Sequence, residues 1–223
     1  MKKKIMILWS GGVDSTAVLK LYLERTKLEV IAVHFNQVYY NNLSRNKNEQ
    51  KAIDTIEPEL QKIRPFLFIN VRIKYDSDLL CRDMVLLPSL AIPLAYTHDC
   101  HKLILGYVSD SREHGTQMHH IQINNSLLNT ISRQFYKSNR WDWIPKFDKP
   151  QKDIFNSKEI YIDAIAELFD KTWFCRRPDL VQPGEIGCGK CHTCKHVILS
   201  LRNRFSKQKH LTYAEPEPET VTV

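Results

Sequence analysis

A short apolar run that leads straight into two glycines and the start of a helix constrains this chain more than any other feature. Lys4 to Trp9 reads KIMILW and is followed at once by Ser10-Gly11-Gly12-Val13-Asp14-Ser15-Thr16. Such a run bounded by glycine predicts a buried parallel strand and then a loop. From Thr16 to Glu24 the apolar residues Ala17, Leu19, Leu21 and Leu23 predict a helix. Two glycines let a backbone approach an anion without Cβ clashes, and a helix N-terminus points unpaired N–H groups at the same place. Ser10, Ser15 and Thr16 add hydroxyl donors. Asp14 fits beside a phosphate only as a cap of the loop or as help in holding a metal ion. The chain has neither the Gly-x-x-x-x-Gly-Lys pattern nor Gly-x-Gly-x-x-Gly here. The plain alternative is an ordinary strand-to-helix turn with a serine cap.

The same rhythm continues. Glu29–Phe35 (EVIAVHF), Phe66–Ile73 (FLFINVRI) and Lys102–Val108 (KLILGYV) read as strands two, three and four. Between them, Lys47–Ile63 places Ala52, Ile53, Ile56, Leu60 and Ile63 on one helical face. Pro58 is expected to kink or split that helix. Arg82–Tyr96 is apolar and long enough for a buried helix despite Pro88 and Pro93, and Ile121–Phe135 reads as a further helix. Strands alternating with helices predict an α/β fold, a parallel sheet flanked by helices with right-handed crossovers. Ligands of such sheets bind beyond the carboxyl ends of the strands. Near Asp148-Lys149-Pro150 the rhythm changes, which divides the chain into residues 1–150 and a helical subdomain over 151–223.

With 223 residues, 43% apolar and 26% charged, the chain has the balance of a folded globular protein and not of a disordered one. No run reaches the roughly 18 apolar residues of a membrane helix. The N-terminal apolar run ends in glycines with no small-residue cleavage site, so it reads as a strand, not a signal peptide, and the expected location is cytoplasmic. The net charge of +7 favours anionic partners weakly. From Lys195 to His210 five Lys or Arg occur with no acid, before the acidic tail Glu215-Pro216-Glu217-Pro218-Glu219. This is either a solvated basic helix with a frayed tail or a face for RNA or a partner.

Four of the six cysteines crowd the last quarter: Cys175, Cys188, Cys191 and Cys194. Two x2 spacings bring sulfurs to one ion, and four thiolates make a closed tetrahedral site, so a bound zinc would be structural. Gly189 suits a tight metal knuckle. His192 and His196 are possible substitute ligands, but four thiolates already suffice; an iron–sulfur cluster is the rival centre. Cys81 and Cys100 lie in apolar surroundings and read as buried free thiols.

Ser10-Gly11-Gly12-Val13-Asp14-Ser15 resembles the pyrophosphate loop of the N-type ATP pyrophosphatases. The resemblance implies a Rossmann-like, adenine nucleotide alpha hydrolase-like sheet and cleavage of ATP between the α and β phosphates. Ser10, Gly11, Gly12, Asp14 and Ser15 would hold the departing pyrophosphate, the backbone at Val33, His34 and Phe35 would face adenine, and Gly106 would let nucleotide or substrate come close. Ser157-Lys158-Glu159-Ile160, Thr172-Trp173-Phe174-Cys175-Arg176 and Gly187-Cys188-Gly189-Lys190-Cys191-His192-Thr193-Cys194 are similar to the C-terminal half of the 7-cyano-7-deazaguanine synthases. Those enzymes activate 7-carboxy-7-deazaguanine with ATP, add ammonia and dehydrate the amide to a nitrile. The resemblance implies ATP and Mg2+ as cofactors, a Zn2+ site, ammonia as co-substrate and a homodimer. It makes Lys158 a catalytic residue; the plain alternative is a first-turn lysine facing solvent.

Other positions are open. Arg82, beside Asp83 at a helix start like the family's, is a candidate phosphate or carboxylate partner, or a surface arginine. Asp110 stands where the family has an acidic reader of the base edge. Trp141 and Trp143 either stack a planar base or seal a seam with the subdomain. His114, His119 and His120, with Glu113, read as a polar loop, a second metal site being the rarer alternative. The family's Asp-Tyr-Gly-Gln stretch is replaced by Phe35-Asn36-Gln37-Val38-Tyr39-Tyr40-Asn41-Asn42, and Tyr-Pro-Asp is missing around Asp110. An arginine expected two or three positions after the last cysteine is also missing, with His196 and Val197 in its place. The expected function is therefore an ATP-dependent carbon–nitrogen ligase acting on a deazapurine carboxylate. A diverged enzyme attaching a deazapurine to a protein or nucleic acid is the alternative. A zinc-dependent RNA-binding module is the non-enzymatic one.

Overall fold

The computed structural model describes residues 3–38, 43–74, 83–106, 130, 158–182 and 185–204. Its strands are β1 (Lys4–Leu8), β2 (Glu29–Val38), β3 (Leu67–Lys74) and β4 (Cys100–Ile104). They form one sheet of order β3-β2-β1-β4 with every neighbouring pair parallel. The helices are α1 (Val13–Arg25), α2 (Leu43–Ile63), α3 (Asp83–Thr97), α4 (Lys158–Ala164) and α5 (His192–Arg204), with 3-10 turns at Phe169–Lys171 and Pro178–Leu180.

Strand alternation divides the core in two. Ile5, Ile7, Val30 and Ala32 meet α1 and α2 through Ala17, Leu21, Ile53, Ile56 and Leu60. Met6, Ile31, Val33 and Phe35 meet α3 on the opposite face through Ala91, Ile92 and Ala95. The chain steps outward from β1 to β3 by way of α1 and α2, then returns across the other face through α3 to lay β4 on the free side of β1. The winding direction reverses between β1 and β4, and a crevice at the carboxyl ends of the strands follows from that reversal.

Several boundaries differ from expectation for identifiable reasons. Helix α1 begins at Val13, not Thr16, because Gly12 adopts the extended conformation of an N-cap (φ −81°, ψ 165°). Helix α2 begins at Leu43, a turn before Lys47, and continues unbroken past Pro58. Ile53, Ile56 and Leu60 are fully buried around that proline, and their packing outweighs the one backbone hydrogen bond a proline removes. Helix α3 likewise contains Pro88 and Pro93. Strand β4 starts at Cys100, paired with Lys4, and ends at Ile104. Gly106, which falls inside the expected strand at 102–108, therefore lies beyond the observed one. Cys100 is a buried free thiol as expected, and burial raises it to a pKa of about 12.

The expected boundary near residue 150, the helix at 121–135 apart from Thr130, which is helical, Cys81 and the acidic tail lie outside the described residues. Beyond that gap Tyr161, Ile165, Phe169, Phe174, Cys175, Cys188, Cys194 and Val197 join the same buried cluster as Trp9, Val13 and Ala17. Among the described residues no helix is long and apolar enough to cross a membrane.

Candidate functional site

The loop after β1 leads into α1 without a side-chain cap on the helix. Gly11 has φ +69°, a left-handed conformation that favours glycine. A Cβ there would stand 3.1 Å from the Glu49 carbonyl oxygen and 3.1 Å from Ile53 Cγ1. Gly12 caps α1 without any side-chain hydrogen bond, so the first-turn N–H groups have no side-chain cap. The hydroxyls are tied to the loop: the Ser10 N–H donates to Ser15 Oγ at 3.1 Å, and the two serine oxygens lie 3.1 Å apart. Thr16, fully buried, accepts a hydrogen bond from the Trp9 indole at 3.0 Å and so anchors the strand to the helix.

Two residues 144 positions apart meet at this loop. Lys158 Nζ donates to both carboxylate oxygens of Asp14, each at 2.6 Å. Lys158 is only 4% exposed, so the solvent-facing reading of this lysine is overturned. The sequence placed the lysine at a helix start, and α4 does begin there, but packing of Tyr161 and Ile162 into the α1 core turns its side chain inward. The Asp14 side chain keeps 27% of its surface. Burial, reinforced by the nearby Asp14 charge, raises the Tyr161 phenol well above its ordinary pKa and keeps it neutral.

Gly106 brings the second loop of the crevice against the first. A Cβ there would lie 2.9 Å from the Ser15 backbone nitrogen and 3.0 Å from Ser15 Cα. The space is occupied by backbone, which accounts for the glycine through loop packing alone. Gly106→Ala is expected to push the two loops apart and to cost about 1–3 kcal/mol of stability. Scanning calorimetry of wild type and variant checks this.

A cleft of about 210 Å³ opens from the serines of the loop. One wall is apolar, with Leu8, Val33, Phe35, Leu87 and Pro88; the other is polar, with His34, Gln37, Arg45 and Glu49. Arg45 and Glu49 form a 2.7 Å ion pair across one turn of α2. This pair was not anticipated from the sequence. Its signal was i,i+4 spacing above Ala52 and Ile53, but the pair is recognisable only if α2 starts early enough to include Arg45.

His34 also lines the cleft. It is 2% exposed, its Nδ1 lies 3.1 Å from the Trp9 carbonyl oxygen, and its Nε2 has no hydrogen-bond partner among the described residues. Burial depresses its pKa to about 4 against the ordinary 6.5. The ring is therefore neutral at pH 7, with Nδ1–H donating to Trp9 and a bare lone pair on Nε2. Because the folded pKa is the lower one, this stability is complete above about pH 6.5 and is lost as pH falls toward 4. The loss amounts to about 2–3 kcal/mol. Comparing thermal midpoints of wild type and His34→Asn at pH 7.5 and 4.5 is expected to give a markedly smaller acid loss in the variant.

The four cysteines meet as expected. Their Sγ atoms lie within 4.8 Å of one another, and all but Cys191 are buried. A tetrahedral zinc site with bonds of about 2.3 Å needs sulfurs roughly 3.8 Å apart, a contraction of about 1 Å at most. Cys188 Sγ and Cys194 Sγ are already 4.0 Å apart. The knuckle carries its own marks. Gly189 has φ +66°, the Cys191 N–H donates to Cys188 Sγ at 3.3 Å, and a Cβ on Gly187 would lie 2.9 Å from Cys194 Sγ. Hydrogen bonds from the Cys194 thiol and from the Cys188 and Arg177 backbone N–H groups hold Cys175 as a thiolate, with a pKa of about 5. Its hydrogen bond to Cys175, with burial, pushes Cys194 well up. The donor set and its geometry fit a thiophilic metal such as zinc.

Ser10, Gly11, Gly12, Asp14, Ser15, Lys158 and Gly106 thus converge at one end of the crevice, and Val33, His34 and Phe35 line its continuation. Arg82, Asp110, Trp141, Trp143, His114, His119 and His120 lie outside the described residues, as do Glu113 and the basic residues Lys207 and Lys209. No family model matches the chain, and no curated protein matches it.

Proposed function

We propose that this chain is an ATP-dependent ligase of the N-type ATP pyrophosphatase kind, similar to the 7-cyano-7-deazaguanine synthases, acting on a deazapurine carboxylate. The observation that carries the proposal is the buried contact of Lys158 with Asp14 at the glycine loop. Two motifs that the resemblance assigns to one site, far apart in sequence, meet at the open N-terminus of α1. An ordinary strand-to-helix turn has no use for a buried cation there.

In this reading the polyphosphate lies along Ser10 to Ser15. The substrate carboxylate attacks the α-phosphorus, the α–β bridging bond breaks, and pyrophosphate departs with the bonding pair. Negative charge grows on the leaving group, and the first-turn N–H groups and serine hydroxyls stabilise it without rearrangement. Lys158 supplies a cation whose position is set by Asp14; an arriving phosphate oxygen competes with that carboxylate for Nζ–H. Ammonia then attacks the acyl carbon and AMP leaves, giving the amide; a second ATP adenylates the amide oxygen with loss of pyrophosphate, and that oxygen departs with AMP as two protons are lost from nitrogen, giving the nitrile. No side chain acts as a covalent nucleophile, so catalysis rests on positioning and electrostatics. Mg2+, when bound, neutralises the triphosphate. The apolar Val33–Phe35 wall against Leu87 and Pro88 suits the face of a planar base. Zn2+ in the four-thiolate site would be structural, because a closed tetrahedron offers no position for water.

The departures at Phe35 to Asn42 favour a second reading, in which the acyl-adenylate passes to a protein or nucleic-acid amine. The deciding experiment incubates folded protein with ATP, Mg2+, ammonium and 7-carboxy-7-deazaguanine and follows the deazapurine by mass spectrometry. Amide or nitrile with stoichiometric AMP is the result expected. A deazapurine mass appearing only on added protein or RNA would favour the second reading. ATP left intact by metal-loaded protein in every mixture would overturn both.

A further inference from the structure

The four-thiolate site and the phosphate loop are joined by three residues of chain. Trp173 donates its backbone N–H to the Gly11 carbonyl at 3.0 Å. Its own carbonyl oxygen lies 3.3 Å from the position a Cβ on Gly12 would take. Two residues later stands Cys175, buried at the cluster. The link between them is clamped. The Thr172 hydroxyl donates to the Phe169 carbonyl at 2.7 Å, and Phe174 stacks on Phe169 with ring centroids 6.0 Å apart. The Phe174 ring also lies 3.1 Å from the Cβ position of Gly187, just before the knuckle. Gly11, with φ +69°, is therefore gripped from two sides: by Ala52 and Ile53 of α2, and by Trp173.

We infer that metal capture by Cys175, Cys188, Cys191 and Cys194 and pyrophosphate binding at the Gly11–Gly12 loop are thermodynamically coupled, with Trp173 as the positioning residue that carries the coupling. An ion that draws the sulfurs together fixes Cys175, and through it the N–H that holds Gly11 in its left-handed conformation. Sites that share no ligand then respond to one another, and linkage makes the effect equal in both directions. The inference rests on the pyrophosphate reading of the loop.

The test uses the full chain, Co2+ as the metal and inorganic pyrophosphate as the ligand. Co2+ is titrated against a competing chelator, with the cobalt–thiolate absorption as readout, with and without saturating pyrophosphate. Pyrophosphate is expected to tighten Co2+ by on the order of fivefold, the scale of one backbone hydrogen bond expressed as coupling. Cobalt-loaded protein should bind pyrophosphate more tightly than cobalt-free protein by the same factor. Trp173→Pro removes the N–H donor and keeps all four thiols, and Thr172 already has the extended backbone (φ −78°, ψ 153°) that a following proline requires. Trp173→Pro is expected to abolish the coupling and Trp173→Phe to retain it, each judged only on protein that displays the tetrathiolate spectrum. Pyrophosphate bound by the wild type with Co2+ affinity unchanged overturns the inference and leaves the phosphate-loop reading intact. Pyrophosphate not bound by cobalt-loaded protein overturns both.

Discussion

Under the proposed function, Lys158→Met is expected to slow ATP cleavage by about 10²–10³-fold, the loss typical when one preorganised charge-stabilising donor is removed, while leaving the fold nearly as stable as before. The asymmetry of the Asp14–Lys158 pair gives the reason. Lys158 is almost fully buried, whereas Asp14 retains part of its surface. A methionine fills the lysine channel with a chain of similar length, and Asp14 can turn to water. The reverse change, Asp14→Asn, leaves a buried ammonium without its carboxylate. That is expected to cost about 3 kcal/mol, or roughly 6–12 °C in thermal midpoint for a chain of this size. The two variants are compared by scanning calorimetry and by AMP release under identical conditions. A loss of midpoint in Lys158→Met as large as in Asp14→Asn would mean that the lysine serves the fold and not the reaction.

The second large effect concerns the cysteines. Purified from reducing buffer, the protein is expected to carry about one equivalent of a thiophilic metal, the content of a single closed four-thiolate site, and elemental analysis checks it. Cys188→Ser, which alters a fully buried ligand, is expected to lower the midpoint by more than about 10 °C. The binding energy of a structural metal is folding energy. The damage should also spread, because Cys175, Cys188 and Cys194 share one buried cluster with Trp9, Val13 and Tyr161. Cys191→Ser, at the partly exposed corner, is expected to cost less. Equal midpoints for wild type, Cys188→Ser and chelator-treated protein would contradict a structural metal.

The order of strands and helices was legible because each period in the sequence agrees with its burial. β1, α1 and β2 follow the apolar runs, and the loop between β1 and α1 carries its own glycines. The four cysteines were legible from spacing alone, since two x2 knuckles leave few arrangements for their sulfurs. Helix and strand ends were less legible. Gly12 is small and Ser44 to Asn46, after Leu43 at the start of α2, are polar, so nothing in their own sequence announces where hydrogen bonding begins. Proline misled at Pro58, where burial on either side carries the helix through.

The meeting of Asp14 with Lys158, of Trp173 with Gly11 and of Gly106 with Ser15 was not visible in any local pattern. Each depends on the crossover that sets β4 beside β1, or on the C-terminal segment returning to the first loop. The resemblance named Asp14 in the loop and Lys158 as a catalytic residue, and said nothing of a contact between them. The Arg45–Glu49 pair was hidden for a simpler reason. A helix taken to begin at Lys47 leaves Arg45 in a loop, where its spacing to Glu49 has no meaning.

The central claim is that the Ser10–Ser15 loop holds pyrophosphate as it leaves ATP. Isotope exchange tests this most directly. Labelled pyrophosphate is mixed with unlabelled ATP, Mg2+ and metal-loaded protein, with and without 7-carboxy-7-deazaguanine and with ammonia withheld. Adenylation that runs forward and back predicts label entering ATP only when the carboxylate is present, and strongly reduced exchange in Lys158→Met. ADP and phosphate as the products, or exchange undiminished in Lys158→Met, would contradict the account.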